Sequence, residues 1–486
     1  MKRIHKIILG SLICLAVIMA SNLGIIGFAQ QHDISEISIE GIWQGNLKVP
    51  GSELRIVFKI LKNSDGTLTV TLDSPDQGVT DIPVEEVIFI DNTLHLEVKS
   101  AGGVFEGKVS EDSLVIEGKW KQSGQTLPLI LKRADKAVEI LRPQVPKKPY
   151  PYKEEEVIYE NKDAGILLAG TLTLPSDDAP FPAVLLISGS GPQDRNETIF
   201  NHRPFLVLAD YLTRQGIAVL RVDDRGVGES TGDFSQATSE DFASDVLAGV
   251  KYLKTLKEIN SEQIGLIGHS EGGIIAPMVA VKSPDVAFII LMAGTGLTGE
   301  EIIYLQGALI SRAMGVSEED ITENHQFNEK IFSAIKEEKD KKRVEEKLRQ
   351  IFTEDWEKMS DEEKELIGDL KVYLEAQLQS LLSPWFKFFL TYDPKPTLSK
   401  VKCPVLAING EKDLQVPPKE NLSAIEEALK VGGNQNYTIK ELPGLNHLFQ
   451  TAQTGVPSEY AKIEETISPV VLKIINGWIL EQCENK

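Results

Sequence analysis

A serine, a carboxylate and a histidine turn a weak nucleophile into a strong one when they meet, and this chain carries all three in suitable settings. Gly268-His269-Ser270-Glu271-Gly272-Gly273 follows the apolar run Ile264-Gly265-Leu266-Ile267. A G-x-S-x-G turn between a strand and a helix is strained, and small residues at Gly268 and Gly272 let the backbone bend sharply enough to lift the serine hydroxyl above a sheet. The run from Gly272 through Val281 reads as the helix that follows, with its N-terminus facing developing negative charge. Downstream, the segment from Pro404 reads as a short buried strand that ends at Gly410-Glu411-Lys412-Asp413, and Pro443-Gly444-Leu445-Asn446-His447 is a loop ending in histidine. A serine hydroxyl needs an imidazole to take its proton, and the imidazole needs a carboxylate to fix its tautomer. Ser270 is therefore expected as nucleophile, His447 as general base and then acid, and Asp413 as the orienting carboxylate. Taken singly, Asp413 reads as a turn residue and His447 as a loop histidine; the elbow and the flanking strands join them.

Two upstream segments complete the expected catalytic floor. Pro182-Ala183-Val184-Leu185-Leu186-Ile187 is an unbroken apolar run suited to a strand covered on both faces, and it opens into Ser188-Gly189-Ser190-Gly191-Pro192. The backbone N–H of Ser190 is expected to bind the oxyanion together with that of Glu271, with Gly189 and Gly191 allowing close approach. The Glu271 carboxylate has a plainer reading, since an acid in a first helical turn is favoured by the dipole alone. Asp194-Arg195 would touch substrate or pair within the loop. Residues 217–222 read as the next strand, ending in Asp223-Asp224-Arg225-Gly226-Val227-Gly228-Glu229-Ser230, a tight turn without a nucleophile and so a scaffold.

From about residue 153 to the C-terminus the chain resembles the α/β-hydrolase superfamily, which uses the order serine, acid, histidine. Its S-G-S-G-P-Q-D-R, D-D-R-G-V-G-E-S and G-H-S-E-G-G strings are similar to those of a group of bacterial serine esterases, some of whose members are peptidases of the serine aminopeptidase or prolyl oligopeptidase type. The resemblance implies ester hydrolysis more readily than peptide hydrolysis, since no propeller repeat is present. Ser188 stands where many members of the group have histidine.

The remaining elements agree with a mostly parallel sheet covered by helices on both faces. Phe242, Val246, Val250 and Leu253 recur at helical spacing, and strand and helix patterns alternate at 264–268, 271–283 and 286–293. The next strand is delayed until Pro404, and the charged stretch 297–397 between them is expected to form a helical cap over the active site. Trp385-Phe386-Lys387-Phe388-Phe389 is a candidate wall for an acyl pocket, with helix core as the plainer reading. The charge runs at 336–342 and 361–365 read as solvated helix faces.

The first third is a different object. Residues 1–29 place Lys2, Arg3 and Lys6 before a long apolar stretch and small residues, the layout of an export signal, with an uncleaved membrane anchor as the alternative. Residues 30–140 carry about eight short alternating strands, such as Leu94, Leu96 and Val98 against His95 and Glu97, which predicts a small antiparallel barrel or sandwich, lipocalin-like in outline. A Pro-rich linker at 141–152 leads to the hydrolase part at 153–486. Loss of 1–29 moves the formal charge from −21 to −24, which argues against nucleic acid as a partner. Neither a cofactor nor a metal is expected, because no Cys/His ligand spacing is present, and Cys403 and Cys483 are expected to pair in an oxidising compartment. The expectation is an exported serine hydrolase acting on small acyl esters, without stable membrane association after signal cleavage. Two alternatives stand beside it: an exopeptidase or acyltransferase with the same triad, and a non-catalytic surface protein that binds through its β domain.

Overall fold

The computed structural model describes residues 38–49, 52–77, 79–122, 125–137, 141–367 and 369–484; the export segment expected at 1–29 lies outside them. The chain forms two compact units, one reaching to Leu141 and including Arg349–Leu378, the other comprising Arg142–Leu348 and Gln379–Lys486.

The first unit is built on nine antiparallel strands: β1 (Gly41–Val49), β2 (Ser52–Lys62), β3 (Leu68–Ser74), β4 (Val79–Pro83), β5 (Glu86–Ile90), β6 (Thr93–Val98), β7 (Gly103–Val109), β8 (Val115–Gln122) and β9 (Gln125–Ala134). They make one sheet in the order β4-β3-β2-β1-β9-β8-β7-β6-β5. Its edge strands β4 and β5 are consecutive in the chain, and the link between them hydrogen-bonds on both sides, Val84 N to Val70 O at 3.1 Å and Glu85 N to Glu97 O at 3.0 Å. Such a short link brings the two ends of the sheet round to each other, so the sheet curls as a barrel does. The period-two alternation holds where it is clearest: Leu94, Leu96 and Val98 are all buried, and they share a core with Trp43, Phe58, Phe105 and Trp120. Val57, on the opposite face from Ile56 and Phe58, is also fully buried.

The second unit carries an eight-stranded mixed sheet. Its strands are β10 (Lys153–Asn161), β11 (Ile166–Leu174), β12 (Phe181–Ile187), β13 (Ala218–Val222), β14 (Ile259–His269), β15 (Phe288–Met292), β16 (Val405–Gly410) and β17 (Tyr437–Leu442), in the order β10-β11-β13-β12-β14-β15-β16-β17. From β13 to β17 all neighbours are parallel, while β10 and β11 run antiparallel at one edge. Among the helices that cover it are α1 (Pro204–Arg214), α2 (Ser239–Lys254) and α3 (Gly272–Lys282). The delayed segment between β15 and β16 carries the helices α4 (Gly299–Ala313), α5 (Glu318–Glu337), α6 (Lys341–Glu357), α7 (Asp361–Ile367), α8 (Leu370–Leu381), α9 (Pro384–Thr391) and α10 (Lys395–Leu398), of which the stretch Arg349–Leu378 belongs to the first unit. The chain then adds α11 (Pro418–Val431), α12 (Pro457–Tyr460) and α13 (Pro469–Glu484).

Alternation along β12 shows how the apolar strands serve two cores. Leu185 and Ile187 pack with Val250 of α2, Ile275 of α3 and Ile425 of α11, while Val184 and Leu186 pack with Leu208 of α1 and Ile475 of α13. A strand buried on both faces has no polar side to show, which is why its sequence reads as an unbroken apolar run. This layering corrects the expected cysteine pair. Cys403 packs into the first of these cores and Cys483 into the second, so the sheet lies between them and no bond joins them.

Candidate active site

Four strand ends meet at the carboxyl edge of the parallel sheet, where open α/β sheets bind their ligands. β14 runs into Ser270, β12 into the loop from Ser188, β16 into the turn that holds Asp413, and β17 into the loop that holds His447. Ser270 has φ +52°, a left-handed conformation that non-glycine residues adopt only when their surroundings enforce it. What enforces it is visible. The Ser270 amide donates to Met292 O at 2.8 Å, and Gly273 N returns to Ser270 O at 2.9 Å. A Cβ at Gly268 would lie 2.0 Å from Gly272 O, and one at Gly272 would lie 2.3 Å from Ile187 O, so neither position admits a side chain. The sharp bend thus follows from the glycine spacing.

His447 and Asp413 meet directly. The His447 ring donates from Nδ1 to Asp413 Oδ2 at 2.7 Å, and both side chains are buried. The other carboxylate oxygen accepts from Gln415 N and Val416 N, each at 2.8 Å. Asp413 therefore accepts on both oxygens and presents one to the imidazole in a fixed direction, which orients that ring's remaining nitrogen. His447 lies against the elbow, its ring centroid 5.0 Å from that of His269, the residue before Ser270.

The loop after β12 passes beside the serine. A Cβ at Gly189 would lie 3.3 Å from Ser270 Cβ, and Gly191 takes φ +95°. Among the described residues, neither the Ser190 amide nor the Glu271 amide donates to a protein acceptor. The loop is held from beneath by carboxylates: Gly189 N donates to Glu197 Oε1 at 2.7 Å, Gln193 N to Asp224 Oδ2 at 2.9 Å, and Ser188 Oγ to Asp224 Oδ1 at 2.8 Å. Ser188 thus braces its loop through Asp224. Burial pushes the Asp224 carboxyl up to about 8 against the two hydrogen bonds, with Glu271 and Glu197 adding to the rise.

Glu271 is buried and not merely a first-turn acid. Its Oε1 accepts from Ser239 Oγ at 2.6 Å and from the Trp385 indole at 2.8 Å. Burial raises its pKa, while the hydrogen bonds from Ser239, Trp385 and Ser190 pull it back. One carboxylate therefore joins the start of α2, the loop after β12 and α9. Phe386 and Leu390 of α9 are core residues, whereas Trp385 reaches the elbow and stacks on Phe389, ring centroids 5.2 Å apart. A small cavity of about 40 Å³, enough for one or two waters, lies behind the loop and is lined by Ser188, Gly189, Asp224, Glu271 and Ile275 among others.

The D-D-R-G-V-G-E-S turn is scaffold. Arg225 pairs with Asp245 of α2 at 2.7 Å, and Asp223 accepts from Arg195 Nη2 at 2.7 Å. Asp194 and Arg195 do not pair with each other: Asp194 closes its own turn on Thr198 N at 2.9 Å, and Arg195 goes to Asp223, Glu156 and Glu229. Three residues at the site carried no sequence signal of their role, Glu197, Asp224 and His269, while Trp385 stood in the stretch read as a candidate pocket wall and bonds Glu271. His269 stood inside the elbow string, but its partners come from distant loops. Its Nδ1 lies 2.9 Å from Glu197 Oε1 and its Nε2 lies 3.1 Å from His447 O.

The sequence pattern of the family described as X-Pro dipeptidyl-peptidase (S15 family) matches residues 164–439, more than half of the chain. The chain belongs to that family. The S15 match runs from β10–β11 into β17 and so takes in the elbow and Asp413. Beside this S15 assignment, the chain is 26% identical over 328 residues to esterase EstD of Thermotoga maritima, covering 66% of this chain and 68% of that one. Among solved structures it is similar to Est1E of Butyrivibrio proteoclasticus with ferulic acid bound, at 19% identity and TM-score 0.39, over 68% of this chain and 99% of that one. It is also similar to the esterase PF2001 of Pyrococcus furiosus, at 17% identity and TM-score 0.40, over 71% of this chain and 97% of that one. This member of the S15 family is a serine hydrolase with the α/β-hydrolase fold.

Proposed function

We propose that this hydrolase cleaves carboxylic esters through an acyl-enzyme, with Ser270 as nucleophile, His447 as base and then acid, and Asp413 as the orienting carboxylate. The observation that carries the reading is the buried 2.7 Å contact of His447 with Asp413 beside a serine held at positive φ. Ser270 Oγ attacks the ester carbonyl as its proton passes to His447. The tetrahedral oxyanion is received by the Ser190 and Glu271 amides, and such donors are worth about 3–4 kcal/mol each where they have been removed one at a time. His447 then protonates the leaving alcohol, and the same nitrogen activates the water that releases the acid. Ester substrates are favoured by the likeness to esterase EstD. Export fits the layout of residues 1–29, three basic residues before an apolar stretch, and the mature enzyme would then work outside the cytoplasm.

A second reading, amide hydrolysis next to proline with the same triad, is favoured by the match to the S15 family. The test is fluorophosphonate labelling with peptide mapping, followed by turnover of p-nitrophenyl esters and of X-Pro-p-nitroanilides. One adduct on Ser270, absent in Ser270→Ala, with ester turnover dominant, is the expected result. Adduct on another serine would remove the triad assignment, and dominant anilide turnover would select the peptidase reading.

A further inference from the structure

The elbow histidine has an environment that the triad does not use. His269 is buried, and both of its ring nitrogens face acceptors: Glu197 Oε1 at 2.9 Å from Nδ1, and the backbone carbonyl of His447 at 3.1 Å from Nε2. A neutral imidazole has one N–H and could satisfy only one of them. The Gly189 amide donates to the same Glu197 oxygen at 2.7 Å, and a donor aimed at that oxygen favours its carboxylate form, which leaves the shared proton on the ring. We infer that His269 is a standing imidazolium, a positioning residue whose two donated hydrogen bonds tie the backbone of the catalytic histidine and, through Glu197, the oxyanion loop at Gly189 into one unit behind Ser270. This inference rests on the triad reading above.

The groups facing His269 support a cation. Glu197 approaches from the loop after β12, Asp413 from the turn after β16, and the His447 and Phe449 rings from the loop after β17, the Phe449 ring edge-on at 6.4 Å between centroids. Burial alone would lower the His269 pKa, but Glu197, the His447 carbonyl and Asp413 together raise it. The consequence has a sign. The cation and both its hydrogen bonds are present at neutral pH and are lost as pH rises through the raised pKa. The His447 backbone and the Gly189 amide then lose their common anchor, so activity falls on the alkaline side. Asp224 also titrates in that range and must be separated from it.

The experiment is the pH profile of kcat/KM for an ester substrate in the full chain, in Glu197→Gln, His269→Gln and Asp224→Asn, with ¹⁵N NMR of the histidine rings in the resting enzyme. Glu197→Gln is expected to move the alkaline limb acidward by about 1–3 pH units, since that is the usual effect of an adjacent opposite charge. It is also expected to lower kcat by about 10- to 100-fold with KM little changed, because the reacting groups are displaced rather than the substrate. His269→Gln should abolish the limb, and Asp224→Asn should leave its position unchanged. NMR should show both nitrogens of His269 protonated at neutral pH. A neutral His269 tautomer, or a limb that follows Asp224→Asn and ignores Glu197→Gln, would overturn the inference. The triad reading fails separately, by an active Ser270→Ala.

Discussion

Asp413 shows what a single carboxylate must do at this site. Each of its oxygens is committed, one to His447 Nδ1 and the other to the amides of Gln415 and Val416. Asp413→Asn keeps the shape but replaces one oxygen with an NH₂ group. That group must face either the imidazole, forcing the wrong tautomer, or two backbone N–H donors. We expect kcat on esters to fall by about 10⁴-fold with the fold intact, as when a triad aspartate becomes asparagine elsewhere. Full activity with unchanged circular dichroism would hand the acid role to another residue. At this scale the proposed site was readable in the sequence because each residue of the proposed triad sits in a short local pattern: glycines around Ser270, and strand-to-turn exits before Asp413 and His447. Glu197 is the contrast. It reaches His269 and Gly189 from a loop with no recurring spacing, and only three-dimensional proximity gives it a role.

The elements that hold these residues were legible in proportion to how completely they are buried. β12 and β15 are covered on both faces and announce themselves as apolar runs. β10 begins Lys153-Glu154-Glu155-Glu156 and pairs on one side only, with β11, so its sequence resembles a charged linker and only Val157, Tyr159 and Asn161 are buried. The turn after β13 is the element whose loss should be felt most. Arg225 forks onto both oxygens of Asp245, at 2.7 and 2.9 Å, and Asn161 of β10 donates to the same carboxylate at 2.6 Å. Breaking a buried pair from one side leaves an uncompensated charge and costs about 3–5 kcal/mol. Arg225→Met should therefore lower the urea midpoint by that much stability, and Arg225→Met with Asp245→Leu should recover most of it. Equal stability of the single and double variants would mean that the turn is held by Asp223, Arg195 and Ser230 instead.

For the molecule as a whole, stability should decline as pH rises above about 6.5. His202 is buried with its pKa pushed down to about 4, first by desolvation and then by Arg142, so the unfolded chain binds its proton more readily between that value and the ordinary one near 6.5. That term makes stability rise with pH up to about 6.5 and then stop. Asp224 acts the other way. Its folded pKa of about 8 lies above the unfolded one, so the folded state holds the proton longer, and stability falls as pH climbs to about 8. Deprotonation of His269 adds to the fall, since its raised folded pKa makes its contribution disappear with increasing pH. The formal charge of −21 adds a diffuse repulsion that also grows as these protons leave. The urea midpoint of the transition that abolishes hydrolysis should accordingly decline between pH 6.5 and about 8. In Asp224→Asn that decline should become shallower without vanishing, because the His269 term survives. An unchanged slope would show that Asp224 is already ionised at neutral pH, and would leave Ser188 and Gln193 bracing the loop after β12 against a permanent charge.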